Sequence, residues 1–211
     1  VEGMSKSALT QGMGDWPFET FPQYLDTIER LGTAINVACY VGHTPVRLYV
    51  MGEEAYERAA TDEEIVQMQT IVREAMKAGA LGFATSESPN HVGAEGRPVP
   101  SRFANFDEMH ALASVLSETN TGIIQISAGG EIKFDHYEEL AAASGGNLNW
   151  SSLLTRNTHP GLHRTYMKKT TDLINSGVPI YPQMSCRELS MEFRFDEPFP
   201  MERLPLFAPS G

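Results

Sequence analysis

Apolar positions along the middle of the chain follow two rhythms in turn. Short β-branched or aromatic runs give way to polar loops, and the loops to segments whose apolar residues recur at the spacing of one helical face. The first run, AINVACYVGH, predicts a strand over Ala34 to His43. A helix is expected to open at Thr61, where Thr61 and Glu64 have capping-box spacing, with Ile65, Met68, Val72 and Met76 on one face and Gly79 as its stop. LGFATS (Leu81 to Ser86) is a second strand, and Asn105 with Glu108 predicts the cap of a helix that turns Met109, Leu112 and Leu116 inward. GIIQIS (Gly122 to Ser127) is a third strand, and Asp135 with Glu138 is a further cap pair, opening HYEELAAAS. NLNWSSLL (Asn147 to Leu154) is a fourth strand, Leu162 to Asn175 a helix stopped by Gly177, and VPIYPQMS (Val178 to Ser185) a fifth strand. At the front, TFPQYLDTIERLG reads as one more amphipathic helix carrying Tyr24, Leu25, Ile28 and Leu31.

Strands alternating with helices imply parallel pairing through right-handed crossovers, and little inside/outside alternation suits a sheet covered by helices. The fold class is α/β. A (β/α) barrel and an open doubly wound sheet share this pattern. No Gly-x-Gly-x-x-Gly or Gly-x-x-x-x-Gly-Lys-Ser/Thr motif follows a strand, which counts against a nucleotide-binding open sheet. About five βα units would make only part of an eight-unit barrel, so the chain is expected to be a piece of a larger protein. The expected boundary is near residue 185: residues 1–185 as the barrel part, and 186–211 as an irregular tail rich in Pro and Phe.

Composition narrows the partners. With 16 Lys and Arg against 27 Asp and Glu, the net charge of −11 disfavours nucleic acid and anionic membranes, which require a basic face. No run of about 18 apolar residues occurs, and the first residues lack a signal-peptide layout, so a cytoplasmic address is expected. The two cysteines, Cys39 and Cys186, form no Cys-x-x-Cys pair and are expected to be buried thiols of a reducing compartment.

In parallel α/β folds ligands gather at the carboxyl ends of the strands. That rule nominates His43 at the end of the first strand, Thr85, Ser86 and Ser88 at the second, Gln125 and Ser127 at the third, Trp150, Ser151 and Ser152 at the fourth, and Gln183, Ser185 and Cys186 at the fifth. Of these His43 is the catalytic candidate, and Ser86, Ser88, Gln125, Ser127, Ser152 and Gln183 are the substrate-binding candidates. The set is polar but mostly neutral, and no His pair sits on one strand as a hydrolytic metal site would favour. His159 and His163 have His-x-x-x-His spacing, but Pro160 and Gly161 lie between them and break a shared helical face. The long connection SPNHVGAEGRPVPSRF brings His91, Arg97 and Arg102, and an Arg from such a loop could clamp a substrate carboxylate. A plain surface loop accounts for it equally well.

Three stretches, DWPFETFPQYLDTIER, NVACYVGHTPVRLYVMG and ATDEEIVQMQTIVREAMKAGALGFATS, resemble in order and spacing the D-aminoacylase (N-acyl-D-amino-acid deacylase) branch of the amidohydrolase superfamily. The resemblance covers roughly residues 1–185 and is most specific in the first half. It implies a zinc-dependent (β/α)8 barrel that hydrolyses a C–N amide bond of a small-molecule substrate. It also implies a His-x-His pair before this chain's first strand, a catalytic Asp beyond its last, and zinc-binding imidazoles at two successive strand ends, where Ser127 and Ser152 stand. No metal ligand transfers to this chain; His43, in the VGH element, is the one active-site residue that does. The expectation is therefore a fragment inactive by itself. The alternative is a catalytically silent α/β domain that binds a small molecule or self-associates through its open sheet edges as a homo-oligomer.

Overall fold

The structure is a computed structural model that describes residues 6–14, 16–93, 96–127, 129, 134–155 and 159–188. It divides into two units. The described part of the smaller comprises residues 6–14, which hold helix α1 (Lys6–Met13), Trp16 and residues 185–188; of the irregular tail expected over 186–211, residues 189–211 lie outside the described residues. The larger unit, 17–184, holds the remaining elements.

Helix α2 (Phe21–Leu31) begins with a full capping box, Thr20 accepting from the Gln23 N–H and the Gln23 side chain reaching back. Strand β1 (Tyr40–Gly42) leads directly into helix α3 (His43–Met51) and a 3-10 turn, Gly52–Tyr56. Helix α4 (Asp62–Ala78) has the Thr61/Glu64 capping box and ends at Gly79 in the left-handed region (φ 106°), as its sequence predicts. Strand β2 (Gly82–Ser86), a 3-10 turn (Pro100–Phe103) and helix α5 (Phe106–Thr119) follow. The chain continues through strand β3 (Ile123–Ser127), a 3-10 turn (Phe134–His136), helix α6 (Tyr137–Ser144) and strand β4 (Asn147–Ser151). Helix α7 (Leu162–Asn175) and strand β5 (Ile180–Gln183) complete the unit.

All four pairings are parallel and the sheet order is β1-β2-β3-β4-β5. Crossovers of one hand in a sequentially ordered sheet place the helices on one face. Against that face lie Val41, Phe83, Ile124, Ile126, Leu148, Trp150 and Ile180, all buried, with Met68, Val72, Met109, Leu112 and Leu116 from the helices. The sheet is an open α/β arc, as a partial barrel would be: among the described residues β1 and β5 each have one strand neighbour.

Four expectations are corrected. The strands do alternate: buried residues succeed less buried ones along β3 and β4, because the described helices of this unit pack against one face of the sheet. The first strand is three residues long rather than spanning Ala34 to His43; β2 reaches back only to the Leu81 N–H, which donates to the Cys39 carbonyl (2.8 Å), and residues 34–38 lie exposed before it. His43 opens α3, an unpredicted helix whose Pro45 is tolerated in the first turn. Asp135 and Glu138 form no cap: Asp135 instead meets Lys169 (3.3 Å), and α6 starts from the 3-10 turn without a side-chain cap.

Candidate functional site

His43 is buried at the start of α3, and both ring nitrogens are occupied. Nε2 lies 2.7 Å from Glu108 Oε1 and Nδ1 lies 2.8 Å from Thr85 Oγ1. The second Glu108 oxygen meets Arg47, itself fully buried, whose guanidinium also donates to the carbonyls of Arg58 (2.7 Å) and Ala55 (3.4 Å). Burial lowers the His43 pKa, outweighing the hydrogen bond to Glu108 that would raise it. Burial pushes Glu108 the other way, up, but the bonds to His43 and Arg47 overcome it and hold the carboxyl below its usual range. The result is a neutral imidazole whose Nε2–H donates to a carboxylate and whose Nδ1 accepts from the Thr85 hydroxyl. Spacing places Glu108 three residues after the cap Asn105; Asn105 does accept the Glu108 N–H (2.9 Å), but the carboxylate turns into the core instead of back to the cap.

The opposite face of the sheet carries the polar strand ends. Ser86, Ser127, Ser151 and Gln183 are register partners on one rung across β2, β3, β4 and β5. Ala84, Gln125, Asn149 and Tyr181 form the rung below. Ser127 Oγ and Ser151 Oγ are 2.9 Å apart, and Ser86 Oγ is 2.5 Å from His91 Nδ1. The Ser88 N–H donates to Ser86 Oγ (3.2 Å), and the Ser88 hydroxyl accepts from the Asn90 N–H (3.3 Å). Gln125 Oε1 is buried on this face with no hydrogen-bond partner among the described residues.

The structure thus brings Ser86, His91, Gln125, Ser127 and Gln183 to one polar face and leaves others outside it. The serine on the β4 rung is Ser151, while Ser152 lies beyond the strand and is exposed. Arg97 is turned to the 3-10 turn after α3, over the Tyr56 ring (4.0 Å) and 3.1 Å from Glu53. Arg102 lies on the 3-10 turn before α5. Cys186 is exposed and Cys39 half-buried beside the Tyr24 hydroxyl, so the expectation of buried thiols does not hold. Thr85 and Ser151, also nominated as strand ends, are placed apart: Thr85 is bonded to His43 on the core side, and Ser151 lies on the polar rung. What spacing missed is Arg47 and the buried role of Glu108, read only as a cap residue; an Arg and a Glu at core positions of helices was the available signal.

No protein-family model matches the chain. Similarity to curated proteins is local: 46% identity over 72 residues with the D-aminoacylase of Alcaligenes xylosoxydans xylosoxydans, covering 34% of this chain and 14% of the relative. The N-acyl-D-aspartate deacylase of the same organism is 41% identical over 68 residues, 32% of this chain and 13% of that protein. The chain's characterised matches are a D-aminoacylase and N-acyl-D-aspartate and N-acyl-D-glutamate deacylases. The fold agrees: a solved D-aminoacylase, described as defining a novel subset of amidohydrolases, superposes with a TM-score of 0.63 at 20% identity over 79% of this chain and 33% of that one. The N-acyl-D-glutamate deacylase from Bordetella bronchiseptica, solved with zinc and a phosphonate mimic of the tetrahedral intermediate, gives 0.62 at 25% identity over 80% and 34%. The chain therefore spans about a third of the length of its solved relatives and a smaller share of the curated ones.

A binuclear metal centre is the subject of another D-aminoacylase structure. The residues described in this chain do not fit such a centre. Zinc selects imidazole, thiolate or carboxylate, whereas the rung at the strand ends offers hydroxyls and an amide. Among the described residues no group of three His, Cys, Asp or Glu converges.

Proposed function

We propose that residues 1–185 are the central arc of a D-aminoacylase-like (β/α)8 barrel, whose helix-free face lines one side of a pocket for an N-acyl amino acid or related amide. The observation that carries this reading is the sequentially ordered parallel sheet with its polar rung at the carboxyl ends, where barrel enzymes bind substrate. Metal-dependent hydrolysis of the C–N bond is assigned to the whole barrel, and this arc alone is inactive toward N-acyl-D-amino acids. Ser86, Gln125, Ser127 and Gln183 would contact substrate through hydroxyl and amide groups. His43 acts as a positioning residue: through Thr85 it fixes the end of β2 beneath Ser86. A cytoplasmic setting accords with both cysteines being free thiols.

The test assays the purified chain for release of amino acid from N-acetyl-D-amino acids, alongside elemental analysis for zinc. No deacylation and no stoichiometric zinc are expected. Deacylation that a chelator abolishes would overturn the proposal. The hydroxyl and amide character of the rung favours a second reading, a catalytically silent domain that binds a neutral small molecule. Expression with the flanking reading frame separates the two: chelator-sensitive deacylation by the longer protein supports the barrel reading, and a zinc-free, inactive longer protein supports the silent one.

A further inference from the structure

We propose that Ser86 and His91 form a hydroxyl–imidazole pair able to take up an acyl group from an uncharged, activated ester or amide without a metal. The pair sits where the chemistry needs it, at the carboxyl end of β2 on the helix-free face, with Oγ and Nδ1 2.5 Å apart. With the His91 proton on Nε2, the Ser86 hydroxyl donates to Nδ1, the arrangement in which an imidazole activates a nucleophile.

Both partners are held in place. The Ser86 carbonyl accepts from the Ser101 hydroxyl (2.6 Å), and Ser101 Oγ in turn accepts from Thr44 Oγ1 (3.1 Å) on α3. Thr85, the preceding residue, is bonded to His43. The loop bearing His91 is closed on itself: the His91 N–H donates to the Ser88 carbonyl (3.0 Å), and Val92 and Pro98 form an antiparallel bridge. Anchoring of this kind is what a preorganised site requires.

An oxyanion donor stands on the next strand. Ser127 is the register partner of Ser86, about 4.8 Å away across the sheet. When Ser151 donates to Ser127, the Ser127 hydroxyl is free to turn toward an oxygen held between the two strands. Ser86, Ser127, Ser151 and Gln183 carry no charge, which is why an uncharged acyl donor fits. In the step, Ser86 Oγ attacks the carbonyl carbon as its proton passes to His91 Nδ1. The tetrahedral intermediate then expels the alcohol or amine, which leaves with that proton. An acyl-serine remains, and water hydrolyses it by the reverse sequence.

The full chain is treated with a biotinylated fluorophosphonate in the presence of EDTA, and the product is examined by intact mass and peptide mapping. Phosphonylation forms the Ser86 Oγ–P bond and breaks P–F, releasing fluoride, with the proton passing to His91. A single adduct on Ser86 is expected, absent in Ser86→Ala. Labelling should slow about a hundredfold in His91→Gln and roughly tenfold or more in Ser127→Ala. Free imidazole should restore labelling to His91→Gly, an effect that a loop-shaping role for His91 would not produce. The proposal is overturned by no adduct at Ser86, or by equal labelling rates in the chain and its His91 variants. Because EDTA is present throughout, the result is independent of whether the longer protein uses zinc.

Discussion

His43 is buried, enclosed by a carboxylate on one side and a hydroxyl on the other. A group whose folded pKa is depressed contributes stability that is complete above its unfolded pKa and is lost on acidification. For His43 the loss begins as the pH falls through its ordinary value of 6.5, where the unfolded chain takes up a proton that the folded chain refuses. Glu108 adds a loss of the same sign, but at carboxylate pH. The urea midpoint is therefore expected to fall between neutral pH and about pH 5.5, within the His range. His43→Gln should flatten that slope, because an amide can donate to Glu108 and accept from Thr85 without titrating. An unchanged slope in the variant would assign the acid sensitivity to other groups. At this scale the sequence discloses less than the structure. The VGH element marks His43, but nothing in the spacing indicates that its partners lie 42 and 65 residues away. Ser152 and Ser151 differ by one position, and only the register of β4 against β3 decides which joins the polar rung.

Among the elements, helices with local start and stop signals were legible, and the strands were legible as runs but not in extent. Thr61/Glu64, Asn105 and Gly79 are all local, so α4 and the cap of α5 follow from neighbouring residues. The length of β1 depends on a neighbour 42 residues on, and α3 lies hidden under β-branched and aromatic residues that equally suit a strand. Contact between strands also constrains Gly82, which no turn or positive φ requires to be glycine. A Cβ at Gly82 would lie 1.9 Å from the Ile123 carbonyl oxygen, inside the β2–β3 pairing. Gly82→Ala is expected to destabilise the fold by about 1–3 kcal/mol or more, because the backbone must separate to admit the methyl group. Gly146→Ala serves as the comparison: its added Cβ would meet its nearest neighbour, the Gly122 carbonyl oxygen, at 3.7 Å, and the midpoint should move far less. Equal losses at the two positions would mean that the close approach at Gly82 carries no cost.

At the level of the larger unit, β1 and β5 each have one strand neighbour among the described residues, and these edges are expected to govern association in solution. Before β1, Leu31, Ile35 and Val37 are 77%, 76% and 48% exposed, and Ile35 and Val37 border a cleft of about 530 Å³. At the other edge Tyr181 and Met184 are 51% and 68% exposed. Unpaired strands flanked by apolar side chains are templates for another strand, and here two unlike edges are available, so a second copy can dock head to tail. Opposing this is the charge of −11 on every chain, which repels a second copy over roughly 10 Å at 0.1 M salt. Apolar burial is insensitive to screening, while the repulsion is not. Raising the salt from about 0.05 M to about 0.5 M shortens the screening length to a few ångströms and should shift the chain toward larger species in sedimentation velocity at fixed protein concentration. Charges introduced at the edges, Ile35→Glu on one side and Tyr181→Glu on the other, should each abolish that shift while moving the unfolding midpoint little, since the two side chains are 76% and 51% exposed. A chain that stays monomeric across the salt series would show that neither edge recruits a partner. Association that survives both substitutions would locate the contact elsewhere.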